Sequence, residues 1–134
     1  MAKYKKKLDA DIRCPLEYGL TIFGGKSGEY PQKLYKALMN SQTVLTVWDD
    51  ARLVGLIRVL DDSEMLAQIH YVLVHPEYQG QGIAGRMVEY IKEKYKNFMY
   101  LELMPEDKNN VPFYENHGFH VMENGAAMQI CNIN

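Results

Sequence analysis

Only two cysteines occur in 134 residues, Cys14 and Cys131, and they stand far apart. A pair with that spacing forms neither a disulfide framework nor a metal-ligand set. Neither sits in a sequence setting that marks a nucleophile, so each is read as a buried structural thiol in a reduced, cytoplasmic setting. An excess of one charge is also missing. Fifteen Lys and Arg against 17 Asp and Glu leave −2, which gives no global attraction to nucleic acid or to an anionic membrane. No apolar run approaches the roughly 20 residues of a membrane span, and the N-terminus lacks a signal-peptide core. Repeats and low-complexity tracts are absent. The one basic run, Lys3, Lys5, Lys6 and Lys7, reads as a solvated tail.

What remains is the length and composition of one globular domain, 1–134, able to bury a core without staples. Its N-terminal 30 residues are hard to read: "YGLTIF" is consistent with a short strand and "GGKSGEY" with a loop. "PQKLYKALMNS" opens with Pro31 and carries Leu34, Leu38 and Met39 at helical spacing, which predicts an amphipathic helix. "TVLTVWDD" and "ARLVGLIRVLDD" flank a tight turn and predict a β-hairpin. A third strand, "EMLAQIHYVLV", follows a turn at Asp61–Asp62 and is stopped by Pro76. "IAGRMVEYIKEKYKN" places Ile83, Met87, Val88, Ile91 and Tyr95 on one helical stripe. "FMYLELM" predicts a strand, "NNVPFYENHGF" a short helix closed by Gly118, and "FHVMENGAAMQICNI" a final hairpin turning at Asn124–Gly125. Only the strand–helix–strand unit from Glu64 to Met104 demands a parallel pair. The fold class expected is α/β (α+β): a mixed, mostly antiparallel sheet with one parallel pair, flanked by helices.

Three glycines, Gly80, Gly82 and Gly85, crowd the junction between that third strand and the helix after it. A helix N-terminus presents free N–H groups and a positive dipole end, and so attracts anions. Glycines there let successive N–H groups converge and let a phosphate approach without meeting a β-carbon. The bland alternative is that they merely allow a sharp turn. Two other phosphate loops fail. "FGGKSG" would need glycine at position 20 to be a Walker loop, and Leu20 stands there. Gly80, Gly82 and Gly85 do match the dinucleotide spacing Gly-x-Gly-x-x-Gly. That motif, however, follows the first strand of an alternating βαβαβ unit, and here a hairpin precedes it.

The run Gln79-Gly80-Gln81-Gly82-Ile83-Ala84 resembles the pyrophosphate-binding signature Gln/Arg-x-x-Gly-x-Gly/Ala of the GNAT superfamily of acyl-CoA-dependent N-acyltransferases. "NNVPFYENHGF" resembles that family's second signature, and "RLVGLIRVLDD" its hairpin. The likeness runs from about Leu34 to the C-terminus. It implies acetyl-CoA as cosubstrate, with no metal. The implied coenzyme contacts are Gln79 to Gly85, Asn110 and Tyr114, together with backbone groups of Val72, Leu73 and Val74 on a central strand that splays from its parallel neighbour. It implies Tyr114 as the general acid for the departing thiolate. Phe113 and Phe119 are taken as core.

Acyl transfer to an amine also needs a proton acceptor, because an alkylamine of pKa about 10.4 is protonated at neutral pH. The sequence leaves two candidates open. His70 has suitable chemistry, although strand alternation equally allows a packed position. Glu102, on the next strand, would act through water. His75, His117 and His120 read as structural or surface residues. Three functions follow: acetylation of a small primary amine, acetylation of a protein lysine or N-terminus, or a non-catalytic acetyl-CoA-binding regulatory module. The presence of Tyr114 favours an enzyme. The segment Leu16 to Tyr30 and the final hairpin would line the acceptor pocket with Tyr18, Phe23, Tyr30 and Met128 and few charges (Glu17, Lys26, Glu29). Such walls suit a compact, singly charged amine. The oligomeric state, a homodimer included, is left open.

Overall fold

The computed structural model describes residues 3–5 and 30–132. The chain divides into two compact units, Met1–Leu103 and Met104–Asn134. The segment 6–29, with the expected "YGLTIF" strand, Cys14 and most of the expected acceptor wall, lies outside the described residues.

Among the described residues of the first unit, a five-stranded sheet runs in sequence order. Its strands are β1 (Lys3–Lys5), β2 (Thr43–Asp49), β3 (Arg52–Asp61), β4 (Leu66–Val74) and β5 (Tyr100–Leu103). Neighbours are antiparallel from β1 to β4, and β4 and β5 are parallel. The mixed, mostly antiparallel sheet with one parallel pair is therefore as expected. The basic run is not simply a tail: Lys3, Tyr4 and Lys5 pair with Trp48, Val47 and Thr46.

Helices cover both faces. On α1 (Pro31–Met39), Leu34, Tyr35 and Leu38 are buried in one cluster with Val44, Trp48, Leu53 and Leu56. Met39, expected on that stripe, is exposed. On α2 (Ile83–Lys94), Ile83, Met87, Val88 and Ile91 are buried, and Tyr95 just beyond it is buried too. Full burial of such side chains stabilises by roughly 1.5–3 kcal/mol each. Because α1 and α2 lie on opposite faces, β2 is buried from Thr43 to Trp48 on both sides. Its apolar content is accordingly near-continuous rather than strictly alternating. The buried hydroxyls are satisfied: Thr43 Oγ1 lies 2.6 Å from the Tyr95 hydroxyl, which donates to Asp61 at 2.5 Å, and Trp48 Nε1 donates to Thr46 Oγ1. Burial and the bond to Asp61 push the Tyr95 phenol up to about 12.

The β3–β4 turn is built as expected by its two aspartates. Asp61 Oδ1 accepts the Ser63 N–H, and Asp62 Oδ1 accepts those of Glu64, Met65 and Leu66. These bonds hold the Asp62 carboxyl below its ordinary value. They also delay the strand to Leu66, two residues after the expected start.

The second unit carries α3 (Val111–Glu115) after a short 3-10 turn at Lys108–Asn110. Gly118, at φ +92°, donates its N–H to the Glu115 carbonyl, and Phe119 donates to the Tyr114 carbonyl. This double closure needs a left-handed residue and is accompanied by an apolar contact across it, here the Tyr114–Phe119 ring pair at 6.0 Å. Phe113 and Phe119 are half-buried, not core.

The final hairpin is not formed, and no strand occurs between residues 119 and 132. A turn exists, but one residue early: Gly125 N–H bonds to Met122 O, so Glu123 and Asn124 are its central residues. Neither has positive φ. The turn is thus not the mirror-image type whose twist matches a two-residue hairpin. Met128 and Cys131 are exposed, against the expected pocket-lining and buried roles.

Candidate active site

Two backbone features of the first unit define the site. The first is the glycine junction. After β4, the 3-10 turn Pro76–Tyr78 leads into Gly80 at φ +81° and Gly82 at φ +82°. A β-carbon built on either would meet nothing within 4 Å. Internal crowding therefore does not demand glycine there; the left-handed backbone does. The same open space leaves the main chain approachable from outside.

Gly82 is the N-cap of α2. It provides no side-chain cap, and the first turn carries no acid. The first backbone bond of the helix runs from Arg86 N–H to Gly82 O. The N–H groups of Ile83, Ala84 and Gly85 have no acceptor among the described residues. An N-cap is ordinarily Ser, Thr, Asp or Asn. Here the orphan donors and the positive dipole end are left for an external acceptor. The Ile83 side chain is buried, so its contribution to such a site is the backbone alone. Gln79, Gly80, Gln81 and Gly82 are exposed, and Ala84 and Gly85 half-buried.

The junction is held from behind. His75 is buried; its N–H bonds to Val54 O, and its Nδ1 accepts the Glu77 N–H. The Tyr78 hydroxyl donates to the Asp49 carboxylate, while Arg52 stacks on the Tyr78 ring and pairs with Glu77 at 2.9 Å. Gln79 Nε2 donates to Val74 O at 3.3 Å. On β3, Gly55 lies under Ile83: a β-carbon there would come within 3.1 Å of Ile83 and 3.2 Å of Val47. Gly55→Val is expected to cost about 1–3 kcal/mol by overpacking and to lift the start of α2. Chemical denaturation and a coenzyme titration check the two effects; unchanged values in both would show that Gly55 does not seat the helix.

The second feature is the end of the parallel pairing. β4 pairs with β5 only from Leu66 to Ile69, against Tyr100 to Leu103. From His70 to Val74 the β5 side of β4 has no strand partner among the described residues. The break coincides with a bulge: Arg58 pairs with Tyr71 and Val59 with Ile69, leaving His70 as the extra residue. Val72, Leu73 and Val74 remain paired to Ile57, Leu56 and Gly55 on the other side. The splayed pair expected from the sequence is thus present.

The bulge sets His70 and Tyr71 side by side, rings 4.3 Å apart and edge-on. Arg58 stacks on Tyr71 at 5.9 Å, and its Nη1 lies 2.6 Å from His70 Nδ1. A guanidinium can only donate, so Nδ1 is the acceptor and the ring proton of neutral His70 sits on Nε2. Proton uptake at Nδ1 would require Arg58 to leave, which weakens the case for His70 as base. Glu102 is half-buried and pairs in register with Gln68, placing it on the same face as His70. Arg58 itself escaped notice in the sequence. The signal was there: one cation within the apolar run "LVGLIRVL", in a strand six of whose ten residues are buried.

In the second unit Tyr114 is half-buried on α3, edge-on to Phe113 at 5.0 Å. Burial pushes its phenol above the ordinary value, which keeps it protonated at neutral pH. Asn110, the N-cap of α3, is exposed. Among the described residues no cluster of His, Cys, Asp and Glu could hold a metal, and no helix is long and apolar enough to cross a membrane.

An uncapped, glycine-opened helix beside a parallel pair that parts at a bulge matches a known class. The profile of the acetyltransferase (GNAT) family covers residues 16–119, and the chain belongs to that family of acyltransferases, whose general cosubstrate is acetyl-CoA. A Staphylococcus aureus crystal structure, described as a "Probable Acetyltransferase", is 27% identical, superposes with a TM-score of 0.79 and is covered over 98% of this chain and 99% of its own. A GNAT-family acetyltransferase of Streptococcus pneumoniae is 26% identical, with a TM-score of 0.75 over 100% and 98%. An uncharacterized ycf52-like N-acetyltransferase of Prochlorococcus marinus is 29% identical over 93 residues, 66% of this chain and 52% of that protein. The chain thus spans about half the length of that curated relative.

Proposed function

We propose that this chain moves an acetyl group from acetyl-CoA to the primary amine of a small molecule. The observation that carries the reading is the start of α2, where left-handed Gly80 and Gly82 precede three N–H groups without acceptors. These groups receive the coenzyme pyrophosphate. The unpaired edge of β4 takes the pantetheine arm like an added strand, and so sets the thioester near the bulge. Of the backbone N–H groups from Val72 to Val74, those of Val72 and Val74 point away from β3, since His75 N–H and by alternation that of Leu73 turn towards it. They stabilise the oxyanion that forms when the amine attacks the carbonyl carbon.

Glu102, through water, accepts the proton the amine loses, in preference to His70 with its engaged Nδ1. Tyr114 gives its proton to the departing thiolate. A small acceptor fits the low charge of the sequence from Leu16 to Tyr30. The test is a panel of small amines, polyamines, aminoglycosides and peptides with acetyl-CoA, read as release of free thiol. Turnover of a compact amine above the others is expected. Turnover of polycations or protein lysines only would overturn the acceptor class, and acetyl-CoA binding without any turnover would favour the regulatory module.

A further inference from the structure

Arg58 is a half-buried cation with no carboxylate in ion-pairing range among the described residues. Its fixed contacts are neutral: Nε donates 2.8 Å to Ser41 Oγ, which is itself anchored by donating to Ala37 O, Nη1 meets His70 Nδ1, and the plane lies over Tyr71. Nη2 has no partner among the described residues. Burial lowers the Arg58 pKa, and among the described residues only the Tyr71 phenol acts against that shift. A desolvated charge of this kind is costly unless it is paired. Here the surroundings hold the guanidinium in place and leave its remaining donors without a partner among the described residues.

The position matters as much as the charge. Arg58 stands opposite the bulge at which β4 leaves β5. On the α2 face of β4 the approach is closed, since Ala67 and Ile69 are buried. On the α1 face Leu66, Gln68 and His70 are exposed, and Arg58 lies on that face. A molecule reaching the bulge from solvent therefore meets the guanidinium.

We propose that Arg58 binds an anionic group of the acceptor, so that the acceptor is a small amine also bearing a carboxylate or a phosphate. This rests on the acetyl-transfer reading and narrows its substrate class. The acid sits on the fork of Arg58, with the Tyr71 ring as a wall, while the amine on the same molecule points towards the thioester. Planar, two-pronged recognition of such groups is what a guanidinium does better than an ammonium.

The test uses matched amines differing only in the acid: tyrosine against tyramine, β-alanine against ethylamine, glucosamine 6-phosphate against glucosamine. The first two pairs report a carboxylate and the third a phosphate. With the whole protein and acetyl-CoA, the acidic member of at least one pair should show kcat/KM roughly 10- to 100-fold above its twin, the size expected of hydrogen bonds to a charged group. Arg58→Gln should erase that advantage through KM, with the KM for acetyl-CoA unchanged, and Arg58→Lys should restore part of it. Equal turnover of twins by the wild type, or an equal loss on both in Arg58→Gln, would overturn the subsite.

Titrating the same acidic amines into isotope-labelled protein, and following the Arg58 guanidinium resonance, separates the two readings. A shift without turnover of any amine would sink acetyl transfer and keep the subsite. Neither shift nor turnover would sink the subsite.

Discussion

Gly82→Glu is expected to abolish tight acetyl-CoA binding in a protein that remains folded. The left-handed conformation at φ +82° strains any residue with a β-carbon, by roughly 1–2 kcal/mol. A carboxylate at a helix N-terminus gives back roughly 0.3–1 kcal/mol. No atom lies within 4 Å of the added carbon, so no clash adds to the cost. The net loss is small against a typical stability of about 5–15 kcal/mol. For the ligand the balance is opposite. The new carboxylate occupies the approach to the Ile83, Ala84 and Gly85 N–H groups and repels a pyrophosphate. Loss of even one charge-assisted hydrogen bond, worth about 1.5–3 kcal/mol, implies a fall in affinity of roughly 10- to 150-fold, and each further bond lost multiplies it. Gly82→Ala, with the same strain and no charge, should lose far less. Calorimetry giving wild-type affinity for a folded Gly82→Glu protein would remove the coenzyme from this turn.

Tyr114→Phe keeps the ring pairs with Phe113 and Phe119 and removes only the hydroxyl. Stability and acetyl-CoA affinity should change little, while kcat falls. General acid catalysis is worth roughly 10²–10⁴-fold. The lower end is expected here. Burial raises the phenol above its usual pKa of about 10, whereas an ordinary thiol lies near 8.5. The proton transfer is therefore uphill by more than about 2 kcal/mol unless the bound thiolate is itself desolvated. The same shift sets the pH dependence. Activity that depends on the protonated phenol persists past pH 10 and falls only when the raised phenol ionises, and the Phe variant should lack that alkaline limb. Unchanged turnover and an unchanged alkaline limb would make Tyr114 a packing residue.

Much of this arrangement is legible in the sequence because it is governed by local periodicity and turn chemistry. The stripe Ile83, Met87, Val88 and Ile91 predicts both α2 and the face it buries. Asp61 and Asp62 announce their turn by the hydrogen bonds their side chains can make. The glycines at 80 and 82 are where a left-handed backbone is needed. Features set by pairing across the sheet stay hidden. The bulge at His70 depends on register with β3, which no local composition encodes. Lys3 and Lys5 read as a solvated run, yet with Tyr4 they form a strand paired to β2, a pairing set by the partner strand and not by their own composition. Asn124–Gly125 is a strong hairpin signal, but a turn that places Gly125 last instead of third competes with it and prevails. The Arg58–His70 contact joins residues twelve apart through two strands, and it changes which atom of the imidazole can take a proton.

The central claim is that main-chain groups at the start of α2 and along the free edge of β4 hold acetyl-CoA. Amide resonances of isotope-labelled protein, followed while acetyl-CoA is titrated in, test it residue by residue. The account predicts saturable shifts that are largest at Gly82, Ile83, Ala84 and Gly85 and at Val72 to Val74, with α1 little affected. Saturable binding that leaves those amides unmoved, or no binding at all by the folded protein, would contradict it.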